Sequence, residues 1–400
     1  MHETKNPNLG NVGRRNIGVM VASGLIWTPI STAMVTYWQP YLSELGATPS
    51  EIALIAASST LVLSGSRILG GYLADSIGRR RLIVSMTYAV SLTYLALFFA
   101  KTWRAVLLVS ILMSIFLLYQ PATEAIIADS TPEVSRARSY ATLYAVPNIA
   151  IMFSPVLAYA VVSRWGLVYG TRILILLTAF AGFVVGSIRL ALLKETIDKG
   201  RTRTRDMWSE YREALSVVLK NRHIVLLVIL ASILSGLTMM VQLYAIYYLR
   251  AGLVAWACLR LLYGATFVAL LIPAGIIADS KGRDRAILLS AILLLLGLIS
   301  LVLAPMVFPI VFLAAYMVLS GAFWAFETCT IPALEADILP THIRGKCFAV
   351  IELVGSLAAA LAQILAGVMY EYIGEELPFL LAIPISVAMM LIAIRSMRRE

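Results

Sequence analysis

The sequence predicts an all-α integral membrane protein of twelve transmembrane helices, arranged as two pseudo-symmetric six-helix bundles. Three observations predict it. Of 400 residues, 60% are hydrophobic and 14% charged, with a mean hydropathy of +0.87, whereas a soluble domain is nearer half apolar and one quarter charged. The apolar residues gather into runs of roughly 19–28, long enough to cross about 30 Å of hydrocarbon as helix. One phrase also occurs twice, as Gly71-Tyr72-Leu73-Ala74-Asp75-Ser76-Ile77-Gly78-Arg79-Arg80-Arg81 and as Gly275-Ile276-Ile277-Ala278-Asp279-Ser280-Lys281-Gly282-Arg283-Asp284-Arg285. A polar turn placed alike in two halves of an apolar chain marks a duplicated membrane domain.

In order, the runs fall near 16–38, 50–74, 82–101, 105–128, 139–163, 167–190, 223–248, 254–278, 286–304, 309–336, 347–370 and 377–394. The polar start, with Lys5, Arg14 and Arg15, leads straight into a long span without a small-residue cleavage site. The first helix is therefore read as uncleaved and not as a signal peptide. The long hydrophilic segment 191–222 divides the chain into an N-terminal half, 1–190, and a C-terminal half, 223–400. Within that segment Trp208, Tyr211, Leu215 and Leu219 recur at three- and four-residue spacing, which predicts an amphipathic helix on the membrane surface.

Charge placement gives the orientation. With twelve spans both termini share one side, and that side carries 24 Lys and Arg residues against 4 opposite, namely Lys101, Arg104, Arg164 and Arg250. The positive-inside rule puts both termini and the central loop in the cytoplasm, at the plasma membrane. The net charge of +10 is thereby a topology signal, and no basic domain stands free of the membrane to bind nucleic acid. Cys258, Cys329 and Cys347 lack metal-ligand spacing, and His2, His223 and His342 lie far apart. No metal, cofactor or enzymatic site is expected.

The repeat has three anchors in the same order. Leu45-Gly46 matches Ala251-Gly252, the turn phrase matches itself, and Ala128-Asp129-Ser130-Thr131-Pro132 with Arg136 matches Ala336-Asp337-Ile338-Leu339-Pro340 with Arg344. These residues resemble the major facilitator superfamily over essentially the whole chain. The family's signature between its second and third helices, G-x-L-A-D-x-x-G-R-[KR], is filled by Gly71, Leu73, Ala74, Asp75, Gly78, Arg79 and Arg80. The second copy keeps Gly275, Ala278, Asp279, Gly282 and Arg283 but has Asp284 where a base is usual. The resemblance implies two six-helix halves, a monomer, and a conformational gate at this turn.

The same turn can be read physically. Gly71 and Gly275 are expected to let helix backbones approach closely, and Gly78 and Gly282 to permit the tight turn. Asp75 with Arg79, and Asp279 with Arg283, can pair at the membrane boundary. Asp129 and Asp337 are natural third members, so each cluster could latch the halves together on the cytoplasmic side.

Ionisable groups buried in spans are costly and usually face partners or water. Glu327, ten residues before Asp337, lies about 15 Å from the boundary, near midplane. It is the leading candidate for proton coupling or substrate contact, the alternative being a packing carboxylate held by helix neighbours. Glu124, Glu352 and Arg67 are further candidates; Glu124 could instead join a cytoplasmic charge network with Arg67 or Arg136. Arg172 and Arg260 sit near outer ends and can snorkel. In the resembled fold helices 1, 4, 7 and 10 line the cavity. Trp27, Thr28, Thr32 and Thr36 in helix 1, Tyr119 and Gln120 in helix 4, Thr238 and Gln242 in helix 7, and Phe323 and Trp324 in helix 10 are the corresponding candidates, with Asn148 in helix 5. Drug–proton antiporters of the superfamily carry a glycine-rich phrase around the helix 5 proline. Here Ser154, Ala158 and Tyr159 surround Pro155 at glycine positions, so that signature is broken.

The expected function is secondary active transport of a small solute by rocker-switch alternating access, coupled to protons. The alternatives are a facilitative uniporter, a drug or metabolite exporter on the same fold, and a non-transporting membrane sensor. The last would need an extramembrane output domain, and the longest loop is too short for one.

Overall fold

A backbone crossing hydrocarbon must satisfy its own N–H and C=O groups, so apolar runs of this length fold as helices. The computed structural model describes residues 7–131, 147–196, 207–340 and 343–397. Ninety per cent of it is helical, with no strands. In chain order the helices are α1 Pro7–Val35, α2 Trp38–Glu44, α3 Pro49–Ile77, α4 Arg79–Phe99, α5 Trp103–Phe116, α6 Gln120–Ser130, α7 Ser154–Trp165, α8 Leu167–Leu192, α9 Met207–Lys220, α10 Arg222–Leu237, α11 Gly252–Lys281, α12 Arg283–Leu303, α13 Pro309–Ile338, α14 Arg344–Tyr372 and α15 Leu377–Met397. They supply twelve segments long and apolar enough to cross a membrane among the described residues. The chain is a multi-pass integral membrane protein.

Some spans are broken where the sequence reads as continuous. The first ends at Val35 and resumes as α2 at Trp38, because Pro40 has no N–H to give the Thr36 carbonyl. The fourth passes through a 3₁₀ turn at Leu117–Tyr119, where Pro121 likewise cannot donate to Leu117. The seventh is broken twice, by a 3₁₀ turn at Thr238–Met240 and a π-helical turn at Tyr244–Tyr248. The Thr238 hydroxyl donates back to the Leu234 carbonyl at 2.8 Å, a local bond that competes with the helical ladder.

Two compact units make up the chain: Met1–Trp38 with Val62–Thr204, and Gln39–Leu61 with Arg205–Glu400. In the first, α4 packs along α8 and α1 along α8, over a core that includes Val19, Leu82, Ile83, Ala122 and Ile126. In the second, α13 packs between α11 and α12, and α10 lies along α14. Gly236 in α10 lies against Ala359 and Ala362 of α14, where a Cβ would come within 2.7 Å of the Ala359 carbonyl oxygen. Gln39–Leu61 joins this second unit: the Gln39 amide donates to the Met239 carbonyl at 2.7 Å, and Ser50 N–H to the Glu371 carboxylate at 2.8 Å. The surface helix α9 packs on α14. The Lys346 ammonium stands 6.0 Å over the Tyr211 ring, and burial pushes the Tyr211 hydroxyl above its ordinary range. The Trp208 side chain lies outside the described residues.

The expectation for Gly71 and Gly275 is corrected. Among the described residues a Cβ at either would meet nothing within 4 Å. Gly70 carries the close approach instead, since a Cβ there would fall 1.7 Å from the Leu118 carbonyl oxygen. One residue along a helix is a rotation of about 100°, which turns Gly71 away from that contact. Gly78 and Gly282 do serve the turn, with φ of 97° and 92°, a left-handed region that only glycine enters without strain.

Candidate functional site

In the first unit, Trp27, Thr28, Arg67, Tyr119, Gln120, Glu124 and Asn148 line one cavity of about 460 Å³. The sequence placed all of these as candidates on four separate spans, and the fold brings them together. Trp27 is seated on Gly182, where any Cβ would meet its ring at 2.2 Å, and it meets Tyr94 edge-on at 5.6 Å. Thr28 spends its hydroxyl on the Gly24 carbonyl. Arg67 Nε donates to the Gln120 side-chain oxygen at 2.9 Å, so one helix pair fixes both polar groups. The Glu124 side chain is exposed to the cavity.

Arg189 also lines this cavity, and the sequence reading missed it. A basic residue in the last turn of an apolar helix looks like a boundary anchor. Its contacts show a different placement: Nε donates to Ser23 Oγ at 3.3 Å, Nη1 to Thr87 Oγ1 at 2.8 Å, and the guanidinium lies 5.7 Å from the Tyr119 ring centroid. Thr36 is 2% exposed, with its hydroxyl on the Thr32 carbonyl at 3.1 Å. Neither Thr36 nor Thr32 lines the cavity.

The second unit disperses its candidates. Gln242 is buried and accepts from Gln39 N–H at 3.3 Å. Phe323 is fully buried and meets the half-buried Trp324 edge-on at 5.2 Å. Thr238 is hydrogen-bonded to Tyr316. Glu327 is 6% exposed and accepts from Ser290 Oγ at 3.1 Å, beside the small core of Ala274, Ala278, Ala286 and Phe326. No ion pair to Glu327 exists among the described residues. Glu352 is exposed and has Glu335, which is buried, as a like-charged neighbour. Glu335 went unnoticed in the sequence because Asp337, two residues on, drew the boundary. A cavity of about 500 Å³ in this unit is lined by residues such as Ser43, Tyr247, Arg250, Tyr370 and Glu375, none of them a sequence candidate.

At the repeated turn, Arg79 pairs with Asp129, and its Nη1 also reaches Thr196 Oγ1 at 3.4 Å. Arg80 N–H donates to the Glu195 carboxylate at 3.0 Å, and its guanidinium to the Leu190 carbonyl at 2.5 Å. In the second copy Arg283 pairs with Asp279 and lies 3.4 Å from Asp337. Each of these pairings closes inside its own unit. The side chain of Asp75, and Arg136 altogether, lie outside the described residues. Among the described residues Arg344 makes no ion pair with Asp337; its guanidinium donates to the Leu339 carbonyl at 3.4 Å instead. Among the described residues no group of three His, Cys, Asp or Glu could hold a metal ion.

The comparisons with known proteins agree with this architecture. An uncharacterised MFS-type transporter of Bacillus subtilis (strain 168), YqjV, is 28% identical over 137 residues, which are 34% of this chain and 33% of that protein. A Na(+), Li(+), K(+)/H(+) antiporter of Planococcus maritimus is 29% identical over 194 residues, 44% of this chain and 43% of that protein. The alignments thus span less than half the length of either relative. Among solved structures, the nucleoside transporter NupG superposes with a TM-score of 0.71 at 14% identity, covering 97% of this chain and 98% of that one. A POT family transporter in complex with 5-aminolevulinic acid gives 0.76 at 13% identity, covering 96% and 95%. The family model described as Major Facilitator Superfamily matches residues 19–363 and 254–400, and the chain belongs to that superfamily.

Proposed function

We propose that the protein is a secondary transporter that moves a small solute by alternating access of its two halves, driven by protons through Glu327. The observation that carries the coupling is the setting of Glu327: a carboxyl group buried in a span, with a serine hydroxyl as its one hydrogen-bond partner among the described residues. A carboxylate in hydrocarbon without a cation is costly and marks proton or solute pathways. The family and the partial likeness to a cation/proton antiporter support transport as the activity. The charge asymmetry supports a cytoplasmic location for the termini and the repeated turns. The cavity of the first unit is the proposed solute wall, and the Arg79 and Arg283 clusters are the proposed gates.

The test is uptake in proteoliposomes with an imposed pH gradient, using a panel of labelled sugars, amino acids and carboxylates. The native protein is expected to accumulate a panel member along the gradient. Glu327→Gln is expected to keep solute exchange and lose gradient-driven accumulation. Accumulation unchanged in the variant would remove Glu327 from the coupling role.

A further inference from the structure

Arg67, Arg172, Arg189 and Arg260 all fall within apolar spans. Arg172 caps the Ala100 carbonyl at 3.3 Å, and Arg67 holds Gln120. Arg189 differs from both. Its partners are two hydroxyls and an aromatic face, all neutral, and no carboxylate pairs with it among the described residues.

Snorkelling does not account for it. Helical side chains lean towards the N-terminus of their own helix, which for Arg189 is away from the nearby end of α8 and into the span. Its hydroxyl partner Thr87 lies eight residues along α4 from Arg79, about 12 Å deep, and Tyr119 lies eleven residues before Ser130, about 16 Å deep. An uncompensated guanidinium at that depth is expensive unless water or an anion answers it. It opens on a cavity that also holds Arg67, with Glu124 as the one carboxyl group of the lining among the described residues. Among the described lining residues two arginines thus accompany one carboxyl group, beside the Trp27 and Tyr119 rings.

The second unit, taken by itself, also carries an arginine within a span against an aromatic ring. Arg260, eight residues into α11, stacks over the Tyr263 ring at 5.0 Å with no carboxylate partner among the described residues. Gly321 of α13 lets that helix approach the backbone beside Tyr263, since a Cβ there would lie 2.7 Å from the Tyr263 carbonyl oxygen.

We propose that the solute is an organic anion whose acidic group binds Arg189, while its apolar body rests against Trp27 and Tyr119. A guanidinium offers a planar fork of donors that matches a carboxylate or phosphonate, and Arg189 has donors beyond those given to Ser23 and Thr87. This names the solute class for the transport reading and rests on it.

The test uses matched probes of one shape and different charge: benzoate, benzamide and benzylamine, then hexanoate, hexanamide and hexylamine. Each is added to the purified full chain and thermal unfolding is followed. The anion of at least one series is expected to raise the melting temperature, and its amide and amine are not. Arg189→Gln is expected to weaken that anion roughly ten- to a hundredfold, the loss of a charge-assisted bond, and Arg189→Lys to recover part of it. Equal stabilisation by amide or amine, an undiminished anion effect in Arg189→Gln, or no effect from either anion would overturn the proposal. Short-chain phosphatidylglycerol is run alongside. If it alone binds through Arg189, the ligand is a lipid headgroup and the solute assignment falls. Proteoliposome uptake separates the two readings: an amine or amide that is transported sinks the anion assignment and leaves transport standing, whereas anions that bind through Arg189 but never cross leave the site and sink transport.

Discussion

His223 Nε2 lies 3.5 Å from Oδ1 of Asp284, joining the first turn of α10 to the first turn of α12. Asp284 is the residue that replaces a base in the second copy of the repeated turn, and it is 8% exposed. The departure from the family pattern therefore has a local neighbour: an acid on α12 faces an imidazole on α10, a contact that is ionic when His223 is protonated.

Restoring the family residue should accordingly be harmful. Asp284→Arg is expected to lower the melting temperature, by a loss of about 1 kcal/mol, and Asp284→Asn by less. His223→Ala in the Asp284→Arg background should return part of the loss. Full stability of Asp284→Arg alone would show the pair to be idle.

Adjacent glycines of the first turn helix should behave oppositely. Gly70→Ala drives a Cβ into the Leu118 carbonyl, an overpacked backbone contact expected to cost about 1–3 kcal/mol. Gly71→Ala meets open space and should express and melt like the native chain. Equal behaviour of the two variants would refute the contact between α3 and the 3₁₀ turn at Leu117–Tyr119.

Gly182→Ala should act through Trp27. The new methyl would occupy the place of the indole edge, and the ring must swing aside. Uptake of the transported solute is expected to fall severalfold while a solute-independent measure, folded yield after gel filtration, changes little. Native uptake would detach Trp27 from the solute wall.

The gate residues should show weak effects on stability. The Asp129 and Asp337 side chains are 41% and 60% exposed, and exposed ion pairs contribute about 0–1 kcal/mol. Asp129→Asn and Asp337→Asn are expected to leave melting nearly unchanged while altering the alkylation rate of single cysteines placed beside the repeated turns. Arg283 keeps Asp279 when Asp337 is removed, so the second gate should be the milder case. Unaltered alkylation in both variants would reduce these clusters to anchors.

Much of the architecture was legible in the sequence, for physical reasons that act locally. Hydrocarbon forces long apolar runs to be helices, charge asymmetry orients them, and glycine at Gly78 and Gly282 is demanded by a positive φ. The breaks at Thr36–Tyr37 and Leu117–Tyr119 were hidden in plain view, since Pro40 and Pro121 lack an N–H and leave the carbonyl four residues upstream without its helical donor. The break at Thr238–Met240 has no such proline and gives no comparable signal.

The candidate site divides differently. Composition and spacing alone determined that Trp27, Arg67, Tyr119, Gln120 and Glu124 are polar or aromatic groups within spans. Tertiary structure decided that they share a cavity, that Glu327 lies apart from it with Ser290 as its hydrogen-bond donor, and that Gly70 rather than Gly71 makes the backbone contact. It also turned Arg189 from an apparent anchor into a cavity cation. Rotation about a helix axis and side-chain lean set which face a residue serves, and only the neighbouring helices fix that rotation.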